Sequence, residues 1–173
     1  KETGYSVKWH VYAKSGYTAR KVRKILLPKI TEESPDLIVI GLGGNDAFTF
    51  NSPAKWIEEI DKIIQELQDR FPSAEILFAN MPPIKEFPAF TLAIKSTIGN
   101  LVEILGTELN KLVQKKDRVY YYADRITLKK WMAFAPENSQ YSDFYSDGVH
   151  PSKLTYQVWS EQLAKYFIER KTL

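Results

Sequence analysis

Asp36-Leu-Ile-Val-Ile-Gly-Leu-Gly43 is an unbroken apolar run that follows Pro35 and ends in glycine. Its apolar residues do not alternate with polar ones, which predicts a strand buried on both faces, as in a parallel sheet covered by helices. Upstream, Val7 to Ala13 mixes β-branched and aromatic residues and stops at Lys14-Ser15-Gly16, which predicts a short strand entering a turn. Between the two, Thr18 is placed as an N-cap, and Val22, Ile25, Leu26 and Ile30 recur at helical spacing until Pro28 ends or bends the last turn. Downstream, Ser52-Pro53 supplies an N-cap and an N1 proline for a helix whose stripe is Trp56, Ile57, Ile60, Ile63, Ile64 and Leu67, closing near Phe71-Pro72.

The alternation continues to the other end of the chain. Glu75 to Asn80 predicts a third strand that stops at Met81-Pro82-Pro83. Leu101, Ile104, Leu105, Leu109, Leu112 and Val113 then predict a long helix, and Arg118 to Ala123 a fourth strand. Pro151 opens a last helix with Leu154, Val158, Trp159, Leu163 and Phe167 inward. Strands alternating with helices imply right-handed crossovers and a parallel sheet with helices on both faces, so the class is α/β in three layers. Ligands of such sheets sit at the carboxyl ends of the strands, which directs attention to the turns after Ala13, Gly43, Asn80 and Ala123.

With 173 residues, 44% hydrophobic and 13% aromatic, the chain has enough apolar material for a core and the size of one domain, spanning residues 1–173. The 24 basic and 21 acidic residues leave a net charge of +3 with the lysines scattered, so no nucleic-acid footprint is formed. There is no cysteine, which excludes disulfides, thiolate metal sites and a cysteine nucleophile. No run of about 18 apolar residues exists to span a bilayer. Compartment and oligomeric state are not encoded in any of these features.

Two histidines can serve as an imidazole base, His10 and His150. His10 lies inside the first expected strand, between Trp9 and Val11, where a satisfied or solvent-facing side chain is the simpler reading. His150 sits before Pro151, three positions after Asp147 in a polar turn containing Gly148. Serine-type ester hydrolysis needs a neutral imidazole to accept the hydroxyl proton and a carboxylate to hold the ring in the right tautomer. Asp147 and His150 meet that need within one turn, but a helix-capping Asp with a passing His fits equally well.

Gly41-Leu-Gly-Gly-Asn45-Asp46 stands at the end of the central strand. As a dinucleotide fingerprint it fails, because Asp46 occupies the third glycine position and the next helix is expected only near Pro53. It fits either a plain Asn/Asp turn or a site where the Asn45 amide donates to a developing oxyanion. Ser15-Gly16-Tyr17-Thr18 after the first strand likewise fits a turn or a free backbone N–H at Gly16. Ile84, Phe87, Phe90 and the Trp131 to Tyr145 stretch are apolar and close to these loops, and fit either an acyl pocket or ordinary core.

Gly16, Gly43-Gly44-Asn45-Asp46 and Asp147-Gly148-Val149-His150, in this order and topology and with Met81-Pro82-Pro83-Ile84 between them, resemble the SGNH (GDSL-type) hydrolases from Val7 onward. The resemblance implies a flavodoxin-like α/β/α esterase with no metal or organic cofactor, acting on a small-molecule ester through an acylated serine. It implies that Gly16 and Asn45 form the oxyanion hole, that His150 is the base, and that Asp147 orients it. Asp46 would brace the Asn45 loop. The family's nucleophile lies in a Gly-Asp-Ser segment after its first strand, and no Gly-Asp-Ser occurs in these 173 residues. Ser15 is on the wrong turn for that role.

The expectation is therefore a single SGNH-type domain that is N-terminally incomplete, its first βα unit of about 30 residues lying outside this sequence. The missing strand would lie between Val7–Ala13 and Asp36–Gly43; direct pairing of those two would contradict this. The alternative function is a non-catalytic domain of the same fold that holds an acyl or glycan ligand.

Overall fold

A computed structural model describes residues 6–171. Three parallel strands, β1 (Leu37–Ile40), β2 (Glu75–Phe78) and β3 (Val119–Tyr121), form one sheet in the order β1-β2-β3. Leu37 pairs with Glu75 and Ile40 with Phe78, while Ile76 pairs with Val119 and Phe78 with Tyr121. The α/β class expected from the alternation is what the chain adopts.

One face carries α3 (Pro53–Arg70) and α4 (Leu92–Val113). Ser52 caps α3 by accepting the Lys55 N–H at 3.3 Å, Pro53 opens it, and Trp56, Ile60, Ile63, Ile64 and Leu67 are buried against the sheet. The opposite face is covered by α6 (Lys153–Lys171). Its Phe167 ring meets Tyr120 at 6.0 Å, its Tyr166 hydroxyl donates to the Tyr121 carbonyl at 2.9 Å, and its Trp159 indole donates to Asn80. The helix starts at Lys153 rather than Pro151, because Ser152 caps it by accepting the Thr155 N–H. Two short helices were not expected: α2 (Gly44–Phe48) directly after β1, and α5 (Leu128–Met132) after β3.

Three expectations need correction. The helix after Thr18 is not uniform: α1 (Ala19–Lys21) widens into a π-helical turn (Val22–Leu26) and tightens into a 3-10 turn (Leu27–Lys29) that contains Pro28. A proline lacks the N–H that regular helix requires, and the tail changes pitch around it. Second, residues 7–13 form no strand; His10 and Tyr12 anchor them to Glu32 at 3.0 and 2.8 Å. A strand requires a neighbour for its N–H and C=O groups, and this segment has none among the described residues. It does not pair with β1.

Third, β1 is not buried on both faces. Ile38 and Ile40 pack on the core, whereas Leu37 and Val39 are 36% and 53% exposed. Alternate residues of a strand point to opposite faces, and α6 lies over β2 and β3, leaving the β1 end of its face uncovered. Val7, Trp9 and Val11 are also exposed, by 69 to 77%. Among the described residues, no helix is long and apolar enough to cross a membrane.

Candidate active site

Gly43 ends the run after β1 with φ +117°, and that backbone turn carries the chain straight into α2. A Cβ at Gly43 would meet the Met81 sulfur at 2.7 Å, and one at Gly44 would meet Pro82 at 3.2 Å, so both glycines let the loops after β1 and β2 close on each other. Asn45 and Asp46 therefore stand in the first turn of a helix rather than in an open turn. Asp46 is 1% exposed, and both its carboxylate oxygens accept the Ala19 N–H, at 3.1 and 3.0 Å. Burial pushes this carboxyl above its ordinary range, and the Ala19 and Asn51 N–H groups pull it back.

Asn45 Nδ2 donates to the Tyr17 carbonyl at 3.0 Å. Together with the Asp46–Ala19 clamp, this draws the turn after residues 7–13 onto the start of α2. Gly16 lies in that turn with φ +75°, closed by Tyr17 N–H to Lys14 O at 3.3 Å. The first two expected site residues, Gly16 and Asn45, thus belong to one local unit. An amide nitrogen carries two hydrogens, so Asn45 keeps a second donor beyond its bond to Tyr17.

The second unit is the turn from Asp147 to His150. Asp147 Oδ1 accepts the backbone N–H groups of Val149 at 3.0 Å and His150 at 2.7 Å, and Oδ2 lies 2.8 Å from His150 Nδ1. Gly148, at φ +83°, supplies the reversal. Flanking bonds hold the loop: Tyr145 bridges Pro151, the Ser146 N–H donates to His150 O at 2.9 Å, and Thr155 Oγ1 donates to the carbonyl of fully buried Phe144. The imidazole is thus set on a braced hairpin, with its Nδ1 facing a carboxylate.

The N–H and ring of His150, then the N–H of Val149, hold the Asp147 carboxyl down at about 2. A carboxylate at Oδ2 makes Nδ1 the protonated nitrogen and leaves Nε2 as the acceptor. The sign of the linkage follows: a lowered folded-state pKa contributes stability above the ordinary value of 3.8, lost as pH falls toward about 2. A carbon-13 titration of the Asp147 carboxyl is expected to show its midpoint near 2. A midpoint at or above 3.8 would mean that the three bonds do not form in solution.

The two units meet through the loop after β2. Ala89 N–H donates to Gly148 O at 3.3 Å, and a chain of rings runs Phe48–Phe90–Phe87–Tyr145 at 5.7, 5.3 and 5.4 Å between centroids. Phe87 and Phe90 of this loop fit either an acyl pocket or ordinary core by sequence; the bond from Ala89 to the His150 turn has no signal there. Of the apolar candidates, Ile84, Phe87, Trp131, Phe144 and Tyr145 are buried as core, and Phe90 is only partly covered. His10 is bound to Glu32, away from this site.

A cavity of about 360 Å³ lies elsewhere, between α4 and the loops after β2 and β3. Its charged lining is committed internally, with Glu103 bridging Lys85 and Arg125 and Asp124 bonded to Lys130. It contains none of Gly16, Asn45, Asp147 or His150. His150 is instead open to solvent, its side chain 75% exposed and that of Asp147 56%. Among the described residues, no group of three or more His, Asp or Glu side chains is arranged to hold a metal.

A family model described as "GDSL-like Lipase/Acylhydrolase family" matches residues 2–158. No curated protein matches the chain by sequence. Solved structures share its fold. A Streptococcus pneumonia protein designated a platelet activating factor has a TM-score of 0.65 at 20% identity, covering 87% of this chain and 68% of that one. A Clostridium thermocellum family 3 carbohydrate esterase has 0.57 at 18%, covering 90% and 67%. Phospholipase A1 from Streptomyces albidoflavus NA297 has 0.59 at 16%, covering 88% and 77%.

Proposed function

We propose the function of this chain from one premise: it belongs to the GDSL-like lipase/acylhydrolase family, whose model matches residues 2–158. The chain is a hydrolase, and its specific activity is hydrolysis of a carboxylic ester by a serine, with His150 as base and Asp147 as its orienting carboxylate. The observation that carries this is the 2.8 Å contact from Asp147 Oδ2 to His150 Nδ1, which leaves Nε2 to accept a proton. Gly16 N–H and the second Asn45 hydrogen serve as the oxyanion donors.

In the first half-reaction the serine Oγ bonds to the ester carbonyl carbon while Nε2 takes the hydroxyl proton. The carbonyl oxygen gains the negative charge and is held by Gly16 and Asn45. Collapse breaks the carbon–oxygen bond to the alcohol, which leaves with the proton from Nε2. Water then repeats the sequence on the acyl-serine and releases the carboxylic acid. Throughout, ionised Asp147 stabilises the transient imidazolium.

The serine is assigned to a strand that pairs with the free edge of β1, between it and residues 7–13, preceding Lys1 in the full-length protein. Support comes from the uncovered Leu37 and Val39 on one side and the unpaired, exposed Val7, Trp9 and Val11 on the other. A βα unit there would pair its strand with the free edge of β1, lay its helix over Leu37 and Val39, and bring the segment after its strand beside Gly16, Asn45 and His150. It would also reduce the exposure of His150, and electrostatic stabilisation is stronger in a site shielded from water.

A fluorophosphonate probe separates the possibilities, because it phosphonylates an activated serine and displaces fluoride. Treating the full-length protein and mapping the adduct by mass spectrometry is expected to find one modified serine, in a Gly-Asp-Ser segment preceding Lys1. An adduct on Ser15 would overturn the placement of the nucleophile. No adduct on folded full-length protein would favour the non-catalytic acyl- or glycan-binding domain.

A further inference from the structure

The segments that join the two halves of the site share the tripeptide Ala-Phe-Thr followed by a large apolar residue, Ala47-Phe48-Thr49-Phe50 after β1 and Ala89-Phe90-Thr91-Leu92 after β2. Phe48 and Phe90 meet edge to face at 5.7 Å, and Ala89 is hydrogen-bonded to Gly148 in the turn that carries the base. A wall of apolar side chains therefore runs from the Asn45 helix to the His150 turn. Neither 47–54 nor 87–94 contains a charged residue, in a chain that is 26% charged. Their polar side chains are already engaged: Thr49 donates to Asp46 O, Asn51 to the Asp46 carboxylate, and Ser52 and Thr91 accept helix N–H groups. No charged group stands on this wall, and each of its polar side chains already makes a hydrogen bond within the protein.

A second observation concerns Phe50. The C-terminus of α2 closes with the Asn51 N–H on Asp46 O at 3.2 Å and the Phe50 N–H on Ala47 O at 3.0 Å, the two bonds of a Schellman motif. The residue between them adopts the left-handed conformation that glycine ordinarily fills, and here it is Phe50 at φ +53°. Its ring is 71% exposed, so burial does not compensate the backbone strain. Leu92, at the matching place in the other loop, is 85% exposed, and Phe48 is 43% exposed. A bulky residue held in a strained conformation without burial points to a ligand as its partner.

We propose that Phe48, Phe50, Phe90 and Leu92 bind the acyl chain of the substrate, so that the protein acts on esters of extended apolar acyl groups rather than on acetylated glycans. The inference rests on the ester-hydrolase reading and narrows its substrate class. A carbonyl held by Gly16 and Asn45 beside His150 sends its acyl chain along this wall. Each methylene that it covers contributes about two- to fourfold in affinity.

Calorimetric titration of the full-length protein with monomeric decanoate and with acetate tests the wall without turnover. Decanoate is expected to bind at least about 100-fold more tightly than acetate. Phe50→Gly is expected to weaken decanoate about fivefold or more while raising Tm by about 2 °C. A residue that only supports the fold would lower both. Leu92→Ser is expected to weaken decanoate with Tm unchanged. Equal binding of the two carboxylates, or decanoate binding unchanged in both variants, overturns the proposal. Rates on acetyl to decanoyl p-nitrophenyl esters keep the two readings apart. Turnover of all lengths at one rate sinks the acyl wall and leaves the hydrolase standing; tight decanoate binding with no turnover of any ester does the reverse.

Discussion

His150→Ala in the full-length protein is expected to lower kcat/KM for a p-nitrophenyl ester by about 10⁴-fold, equivalent to about 5 kcal/mol of transition-state stabilisation. In the proposed mechanism the imidazole accepts the nucleophile's proton, and the other histidine of the sequence, His10, is held by Glu32. The side chain is 75% exposed, so its removal leaves the fold intact. The backbone carbonyl that accepts Ser146 remains in place. Far-ultraviolet circular dichroism and Tm should match the wild type while turnover collapses, and unchanged turnover would remove His150 from the mechanism. Asp147→Asn is a milder companion. An amide retains the shape but can present an N–H toward Nδ1, favouring the wrong tautomer, and a loss of about 10²- to 10⁴-fold is expected.

The second large effect is at Asn45. Asn45→Ala removes the only side-chain donor assigned to the oxyanion and is expected to lower kcat by about 10²- to 10³-fold with KM little changed. The same amide also donates to Tyr17 O, so a stability loss of about 0.5–1.5 kcal/mol accompanies it. The two roles separate in the kinetics, because loosening of the Gly16 turn alone would raise KM and lower Tm without a kcat loss of this size. A kcat within fivefold of wild type would remove Asn45 from the oxyanion hole. The Asp46 carboxylate, fixed on Ala19, keeps the Gly16 turn in place in this variant.

The partly exposed face of β1 shows where sequence pattern stops being informative. Leu37 to Ile40 reads as a strand in an α/β sheet because four β-branched or leucine side chains lie in one run. Burial on a given face depends on what lies over it, and α6 reaches Tyr120 but leaves Val39 exposed. Residues 7–13 have strand composition for the same local reasons, yet pairing is a property of two segments and their partner is not among the described residues. Likewise α2 was hidden by Gly43-Gly44, residues that read as a loop until Met81 and Pro82 are seen pressing against them.

The α/β class, the stripe of α3 and the Asp147–His150 pair were legible from the amino-acid order, because each depends on residues within a few positions: helical periodicity, a capping serine, and a carboxylate that turns back on the third residue along. The grouping of Gly16 with Asn45, the link from Gly148 to Ala89, and the exposure of Phe50 and Leu92 were decided only by the packed chain. The two contacts join residues 28 and 59 positions apart in sequence, across strand ends that only the sheet brings together. Local chemistry set the Asp147–His150 contact; long-range packing determined what stands opposite it.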